Sequence, residues 1–197
     1  HWNVGSQIVA LNYQTASQPM QLNDGRYRDN GHCGYLLKPV FLRDPSYNFN
    51  PNDMKSLPAG YPIRDWEVSV QVLSAQQLPK PGGAHKGEVI DPYVVVQIHG
   101  VPVDNAQFRT TTVQDNGFNP VWDKTFSFKV ACPELAILDM TVWDEDLDAD
   151  DFIATSKMNL TAVRTGFRTV QMFSESGTRH GDFEHCSLFC RITINKP

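Results

Sequence analysis

Residues 137–151 read Ile137-Leu-Asp-Met-Thr-Val-Trp143 and then Asp144-Glu-Asp-Leu-Asp-Ala-Asp-Asp151. The first seven form a largely apolar β-type run, and six of the eight that follow are carboxylates. A strand therefore delivers a dense acidic loop at a fixed point. Most acidic stretches are solvated loops, but here the acids alternate at Asp144, Asp146, Asp148 and Asp150. Packing so many like charges is costly unless a cation neutralises them. Oxygen donors without imidazole or thiolate select Ca²⁺ or Mg²⁺, and a flexible loop offering roughly six to eight oxygens favours Ca²⁺. The EF-hand fails as an explanation. Counted from Asp144, the position that needs Gly is Ala149, the position that needs Glu is Thr155, and the flanks read as strands.

Outward from this loop the chain continues in the same register. Trp66-Glu-Val-Ser-Val-Gln-Val-Leu73 alternates strictly. Further β-type runs cover Tyr93–Ile98, Phe108–Val113, Thr125–Val130, Leu138–Trp143, Phe152–Asn159, Arg168–Met172 and Leu188–Ile194, separated by turn signals. The pattern predicts a mainly β fold, an antiparallel sandwich, over residues 65–197. A metal site at one end of a sandwich takes ligands from neighbouring loops. Two candidates are Asp91, in Val89-Ile-Asp-Pro92, and Asp115, in Gln114-Asp-Asn-Gly-Phe-Asn-Pro120. Taken singly, a strand-entry Asp and an Asx-turn explain them as well.

Residues 1–43 differ in character. Gln7-Ile-Val-Ala-Leu-Asn-Tyr13 reads as a strand buried on both faces, a short helix is expected around Leu22–Asp29, and Tyr35-Leu-Leu-Lys-Pro39 as a strand stopped by proline. So small a piece cannot bury a core and must pack on something. Residues 44–64, with four prolines, read as a linker laid against a surface through Tyr47, Phe49 and Tyr61. His1, with no initiator Met or signal segment, suggests a piece of a longer chain.

The 197 residues are 41% hydrophobic and 20% charged, which fits a folded chain rather than a disordered one. No apolar run approaches the ~20 residues that span a bilayer. The net charge of -5 argues against nucleic acid as a partner. That charge is local, however. Without the six acids of 144–151, seventeen basic residues face sixteen acidic ones, and setting aside Asp91 and Asp115 as well leaves a balance of +3. Two bound Ca²⁺ would bring the total from -5 to -1. Of the four cysteines, Cys186 and Cys190 are too far apart along one strand for a disulfide. His185 would face away from them, so buried free thiols are expected rather than zinc.

These residues resemble a known constellation. Asp91-Pro-Tyr-Val-Val-Val96, Asn116-Gly-Phe-Asn-Pro-Val-Trp122 and Val142-Trp-Asp-Glu-Asp146 are similar to a C2 domain. Trp2–Thr15, Leu22-Asn-Asp-Gly-Arg-Tyr27 and Asn30-Gly-His-Cys-Gly-Tyr-Leu-Leu-Lys-Pro39 resemble the end of the Y half of the catalytic barrel in eukaryotic phosphoinositide-specific phospholipase C, where a C2 domain follows after a short linker. The resemblance covers essentially the whole chain and is most similar to the delta or zeta type. It implies an eight-stranded antiparallel C2 β-sandwich preceded by the last strand and helix of a (β/α)₈ barrel. The domains would be the barrel end at 1–43, the linker at 44–64 and the C2 domain at 65–197.

The resemblance also implies a parent enzyme, a phosphoric diester hydrolase cleaving phosphatidylinositol 4,5-bisphosphate into inositol trisphosphate and diacylglycerol. The two catalytic histidines and the catalytic Ca²⁺ ligands of that family lie in its X half, ahead of this segment. Its substrate-binding Ser, Arg and Tyr fall upstream of Trp2, and His1 and His32 match neither histidine. No catalytic residue is therefore assigned here. In the C2 domain, Asp91, Asp144 and Asp146 occupy the best-matched Ca²⁺ positions and Asp115 falls at a further ligand position. The backbone carbonyl of Val89 is another contributor, and Asp148 with Asp151 (or Asp150) completes the set. The first loop, Leu78–Gly87, departs from the family by offering no carboxylate before Glu88.

Three functions follow as expectations. The first is a Ca²⁺-dependent module docking on anionic phospholipid membranes, in a cytoplasmic, peripheral membrane protein. Lys80, His85 and Lys86 would face phosphates, and Leu147, Phe152 and Leu78 would be shallow apolar tips. The second is a C2 domain that only braces the remainder of the barrel. The third is a catalytically silent relative acting as an interaction protein.

Overall fold

The computed structural model describes residues 1–56, 65–81 and 89–197. Eight strands form: β1 (Trp66–Gln76), β2 (Pro92–His99), β3 (Ala106–Arg109), β4 (Val121–Val130), β5 (Ile137–Asp144), β6 (Asp151–Asn159), β7 (Gly166–Gln171) and β8 (Ser187–Asn195). They make two antiparallel sheets of four, in the orders β4-β1-β8-β7 and β3-β2-β5-β6. Each of the eight strands expected over residues 65–197 is present, with its ends shifted.

Alternation explains the packing. Val68, Val70 and Val72 of β1 point inward and are buried, as are Val94, Val96 and Ile98 of β2 and Leu138, Met140 and Val142 of β5. The residues between them face outward. The third expected strand is shorter than predicted. At Thr110, which is buried, the hydroxyl oxygen accepts the Val94 N–H at 3.0 Å, so a side chain takes the place of a ladder carbonyl and β3 ends at Arg109.

Residues 1–56 fold differently from expectation. A helix, α1 (Gln18–Tyr27), forms where one was expected, and a four-residue helix, α2 (Val40–Arg43), follows Pro39. Gln7–Tyr13 and Tyr35–Pro39 are not strands. A strand needs a partner for its N–H and C=O groups, and no described segment pairs with either run in a ladder. Ile8 is 96% exposed, the reverse of a strand buried on both faces.

The outer face of β5 and β6 is covered by α1. Gly25 sits against Lys157, and a Cβ there would fall 2.8 Å from the Lys157 carbonyl oxygen, so only glycine allows this approach. Beneath it lies a charged network. Lys157 Nζ donates to Asp139 Oδ1 at 2.8 Å and to Thr155 Oγ1 at 2.8 Å, while His99 Nε2 lies 2.9 Å from Asp139 Oδ2. Burial alone would raise the Asp139 pKa, but the His99 hydrogen bond and the Lys157 ammonium hold it below the usual carboxylate range. Beside the network, Asn159 Nδ2 donates to the Arg26 carbonyl and to Asp29 Oδ2, each at 2.7 Å. Further along, Phe41, Val101, Cys132 and Leu135 form a second apolar cluster on which Tyr47, Phe49 and Met54 pack. Residues 44–56 are thus held to the surface as expected, whereas Tyr61 lies outside the described residues.

All four cysteines are free thiols. Cys186 and Cys190 are fully buried, and burial pushes both thiols up to about 12. Cys33 is exposed. Among the described residues no helix is long and apolar enough to cross a membrane.

Candidate functional site

The site is built where β2 begins and β5 ends. Pro92 and Asp144 are ladder partners, so Asp91 and Asp144 arrive at the same end of the sandwich. The Asp91 N–H donates to Asp144 Oδ1 at 2.6 Å, and the Asp115 N–H donates to Asp91 Oδ1 at 2.7 Å. The Glu145 N–H closes the group by donating to the Asp91 carbonyl at 3.1 Å. Three loops are therefore laced together by the carboxylates of Asp91 and Asp144. Asp144 is 4% exposed, while Asp115 is exposed.

The Asn116–Trp122 motif buttresses this arrangement. Asp115 has φ +52°, a left-handed conformation that aspartate adopts more readily than most residues. The Asn116 N–H then donates to the Ile90 carbonyl at 3.2 Å. A Cβ at Gly117 would lie 2.5 Å from Ile90 Cγ1, which accounts for the glycine. Asn116 Oδ1 accepts the Asn119 N–H at 3.0 Å, and Trp122 Nε1 donates to the Pro92 carbonyl at 3.3 Å.

The acidic loop divides into two sets. Asp151 opens β6 directly opposite Asp144 and is exposed. Asp148 is exposed at the loop apex. Asp150, also exposed, hydrogen-bonds back within the site instead. Its Oδ2 accepts the Tyr93 hydroxyl at 2.5 Å and its Oδ1 accepts the Asp146 N–H at 3.3 Å. Burial, aided by that bond to Asp150, pushes the Tyr93 phenol up to about 12. The Arg109 guanidinium lies 3.8 Å over the Tyr93 ring and donates to Glu145 Oε1 at 2.6 Å, which holds the Glu145 carboxyl below its ordinary range. Tyr93 and Arg109 thus fix the loop, a role that sequence reading misses. The available signal is position: Tyr93 follows the Asp91-Pro92 pair, and Arg109 is the lone fixed cation between residues 97 and 113.

The donor chemistry suits a hard cation. Asp91, Asp115, Asp144, Asp146, Asp148 and Asp151, with the Val89 carbonyl, offer oxygen alone. The side chains do not converge on one point: among the described residues, no three His, Cys, Asp or Glu groups stand together as a ready metal cluster. Asp91 and Asp144 instead spend oxygens on backbone N–H groups. His85 and Lys86 lie outside the described residues, and Lys80 is exposed.

The apolar tips differ from expectation. Leu147 is fully exposed at the loop apex. Phe152 packs edge-on against Trp143, with ring centroids 5.7 Å apart, and Leu78 is in the core. Phe118, 70% exposed in the Asp115 loop, takes their place, with Val89 exposed nearby in sequence to Asp91. Sequence reading passes over Phe118 because it stands inside a turn motif, where aromatic residues read as packing.

Comparison with known proteins places both ends of the chain. The C2 domain family matches residues 66–174, and the family described as phosphatidylinositol-specific phospholipase C, Y domain, matches residues 1–41. Over 194 residues the chain is 42% identical to human 1-phosphatidylinositol 4,5-bisphosphate phosphodiesterase delta-1, covering 98% of this chain and 25% of the relative. It is also 42% identical to human inactive phospholipase C-like protein 1, covering 98% of this chain and 17% of that relative. The crystal structure of PLC21 from S. officinalis superposes with a TM-score of 0.84 at 32% identity, over 99% of this chain and 23% of that one. The chain spans a quarter or less of the length of these relatives. The chain belongs to the C2 domain family, and ahead of that domain it carries a segment that matches the Y domain of phosphatidylinositol-specific phospholipase C.

Proposed function

We propose that the chain is the C-terminal part of a phosphoinositide phospholipase C, which hydrolyses phosphatidylinositol 4,5-bisphosphate to inositol trisphosphate and diacylglycerol. Residues 1–43 complete the catalytic barrel, 44–64 link, and 65–197 form a C2 module that docks the cytoplasmic enzyme on anionic phospholipid when Ca²⁺ is present. One observation carries the docking reading. Asp91, Asp115 and Asp144, from three separate loops, are joined at one end of the sandwich beside the exposed Leu147 and Phe118. Asp91, Asp115, Asp144, Asp146, Asp148 and Asp151 with the Val89 carbonyl hold the cation in this reading. When bound there, Ca²⁺ supplies the positive charge that links these carboxylates to lipid phosphates. The chain's own part is to present the oxygens, restrain the loop through Tyr93 and Arg109, and offer apolar tips to the headgroup region. The residues that do the chemistry belong to the remainder of the barrel. Exposed Ile8, Tyr35 and Leu37 supply apolar surface for that remainder.

Co-sedimentation with phosphatidylserine vesicles tests the docking reading. Pelleting in Ca²⁺ and its loss in EGTA are expected, and equal pelleting in both overturns it. A second reading, a catalytically silent member whose C2 domain braces the barrel, is favoured by the 42% identity shared with the inactive relative and by the buried contact between α1 and β6. Absence of any Ca²⁺ heat by titration calorimetry, with an unchanged melting temperature, selects it.

A further inference from the structure

Away from the acidic loops, the open seam between the two sheets holds a groove of about 320 Å³. Its floor is apolar, with Met158, Val170 and Ile192, and its rim carries Arg28, Arg164 and Arg168. In a chain of net charge -5, three guanidiniums and no carboxylate line this groove among the described residues. Asp24 offsets part of the Arg28 charge, but Arg164 and Arg168 are exposed. The arginines are also placed. Arg28 lies 3.6 Å over the Phe173 ring, and Arg168 Nε donates to the Arg164 carbonyl at 3.4 Å. Phe173 itself closes one end of the groove, because it bridges to Thr155 of β6 through N–H donations of 2.8 and 2.9 Å.

One wall of the groove is β7, which pairs with β8 alone and ends its sheet. An edge strand presents a row of backbone donors and acceptors that another extended chain can pair with. Over its six residues β7 runs about 20 Å at ~3.3 Å per residue, room for an extended segment of similar length. Such a segment alternates its side chains between the apolar floor and the rim, where guanidinium forks match carboxylates. We infer that this groove binds an extended acidic peptide segment, which adds as a strand to the edge of β7 and pairs its carboxylates with Arg164, Arg168 and Arg28. An acyl chain would use the floor but none of the edge amides, so the geometry favours peptide over lipid.

The test uses the intact chain in EGTA, so that the acidic loops take no part. The probe is a fluorescein-labelled hexapeptide of alternating glutamate and valine, with a glutamine and valine hexapeptide as neutral control. Anisotropy should show binding of the acidic peptide, weakened about tenfold or more in Arg164→Glu/Arg168→Glu. Both arginines are exposed, so the double reversal should keep the wild-type circular dichroism spectrum. Hydrogen exchange should slow at alternate amides of Gly166–Gln171 when the peptide is added. No binding, equal binding of the neutral peptide, indifference to the double reversal, or unchanged exchange along β7 overturns the inference. Arginine-dependent binding of phosphatidylserine vesicles without peptide binding also overturns it and gives the groove to a membrane surface.

Discussion

Asp150 and Asp151 are adjacent and chemically identical, yet the fold gives them different work. As ligands they are interchangeable in the sequence, because an alternating acidic loop does not say which side chain hydrogen-bonds back to the sandwich. The Tyr93 hydroxyl captures Asp150, while Asp151 stands exposed opposite Asp144. In the docking reading, Asp151→Asn therefore weakens Ca²⁺ binding about tenfold, whereas Asp150→Asn changes it less than about twofold, since its oxygens already serve the loop. Titration calorimetry on the two variants checks this, and equal losses would remove the distinction. Asp144 allows a sharper separation. Its Oδ1 accepts the Asp91 N–H, a bond that an asparagine carbonyl can also accept. Asp144→Asn should keep the wild-type fold by circular dichroism and lose Ca²⁺ binding by more than tenfold, because it removes charge without removing the acceptor. The aspartates at 91, 115 and 144 are legible as candidates from their spacing. Their mutual hydrogen bonds are not, since these depend on the Asn116–Gly117 turn against Ile90.

At the scale of elements, period-2 alternation makes the eight strands readable from the order of residues alone. The expectation for Gln7–Tyr13, which rests on a nearly continuous apolar run, fails for a physical reason: a strand is a property of a pair, and one run of sequence reports only its own half. The outer face of β5 and β6 is equally hidden. Asp139, Thr141 and Lys157 read as solvent-facing polar residues, and only α1 lying over them makes them a buried network. Two outcomes follow. Gly25→Ala places a Cβ against the Lys157 backbone and should destabilise this contact by about 1–3 kcal/mol, seen as a lower melting temperature and faster proteolysis ahead of residue 44. Acid should act on the same place. Asp139 has a folded pKa below its unfolded value of ~3.9, so the stability it contributes is present above about pH 4 and is lost as pH falls through the folded pKa. The Lys157 ammonium from β6 and the His99 imidazole from β2 are the groups that face it. Thermal melts between pH 5 and pH 2 should show a shallower fall in Asp139→Asn than in the wild type.

For the whole molecule, the distribution of charge matters more than its sum. The carboxylates gather at one end of the sandwich, and the guanidiniums of Arg28, Arg164 and Arg168 line a seam elsewhere. The acidic end alone would be repelled by an anionic bilayer, so docking there requires charge reversal by Ca²⁺ and a separate apolar contribution to hold the contact. Leu147 and Phe118 supply apolar surface on two of the loops laced together by Asp91 and Asp144, and both are well exposed. Burying such side chains contributes about 1.5–3 kcal/mol each when complete and less for shallow insertion. Leu147→Glu/Phe118→Glu should therefore lower partition onto phosphatidylserine vesicles at saturating Ca²⁺ by about tenfold or more. Neither side chain offers a ligand oxygen, so Ca²⁺ affinity in solution should stay within about twofold of the wild type. Vesicle sedimentation paired with calorimetry separates the two terms. If partition is unchanged while Ca²⁺ still binds, the contact with the bilayer is electrostatic alone and the apolar tips are incidental. If both fall together, the tips act through the loop conformation, and the Tyr93 and Arg109 restraint on that loop becomes the place to look for the coupling.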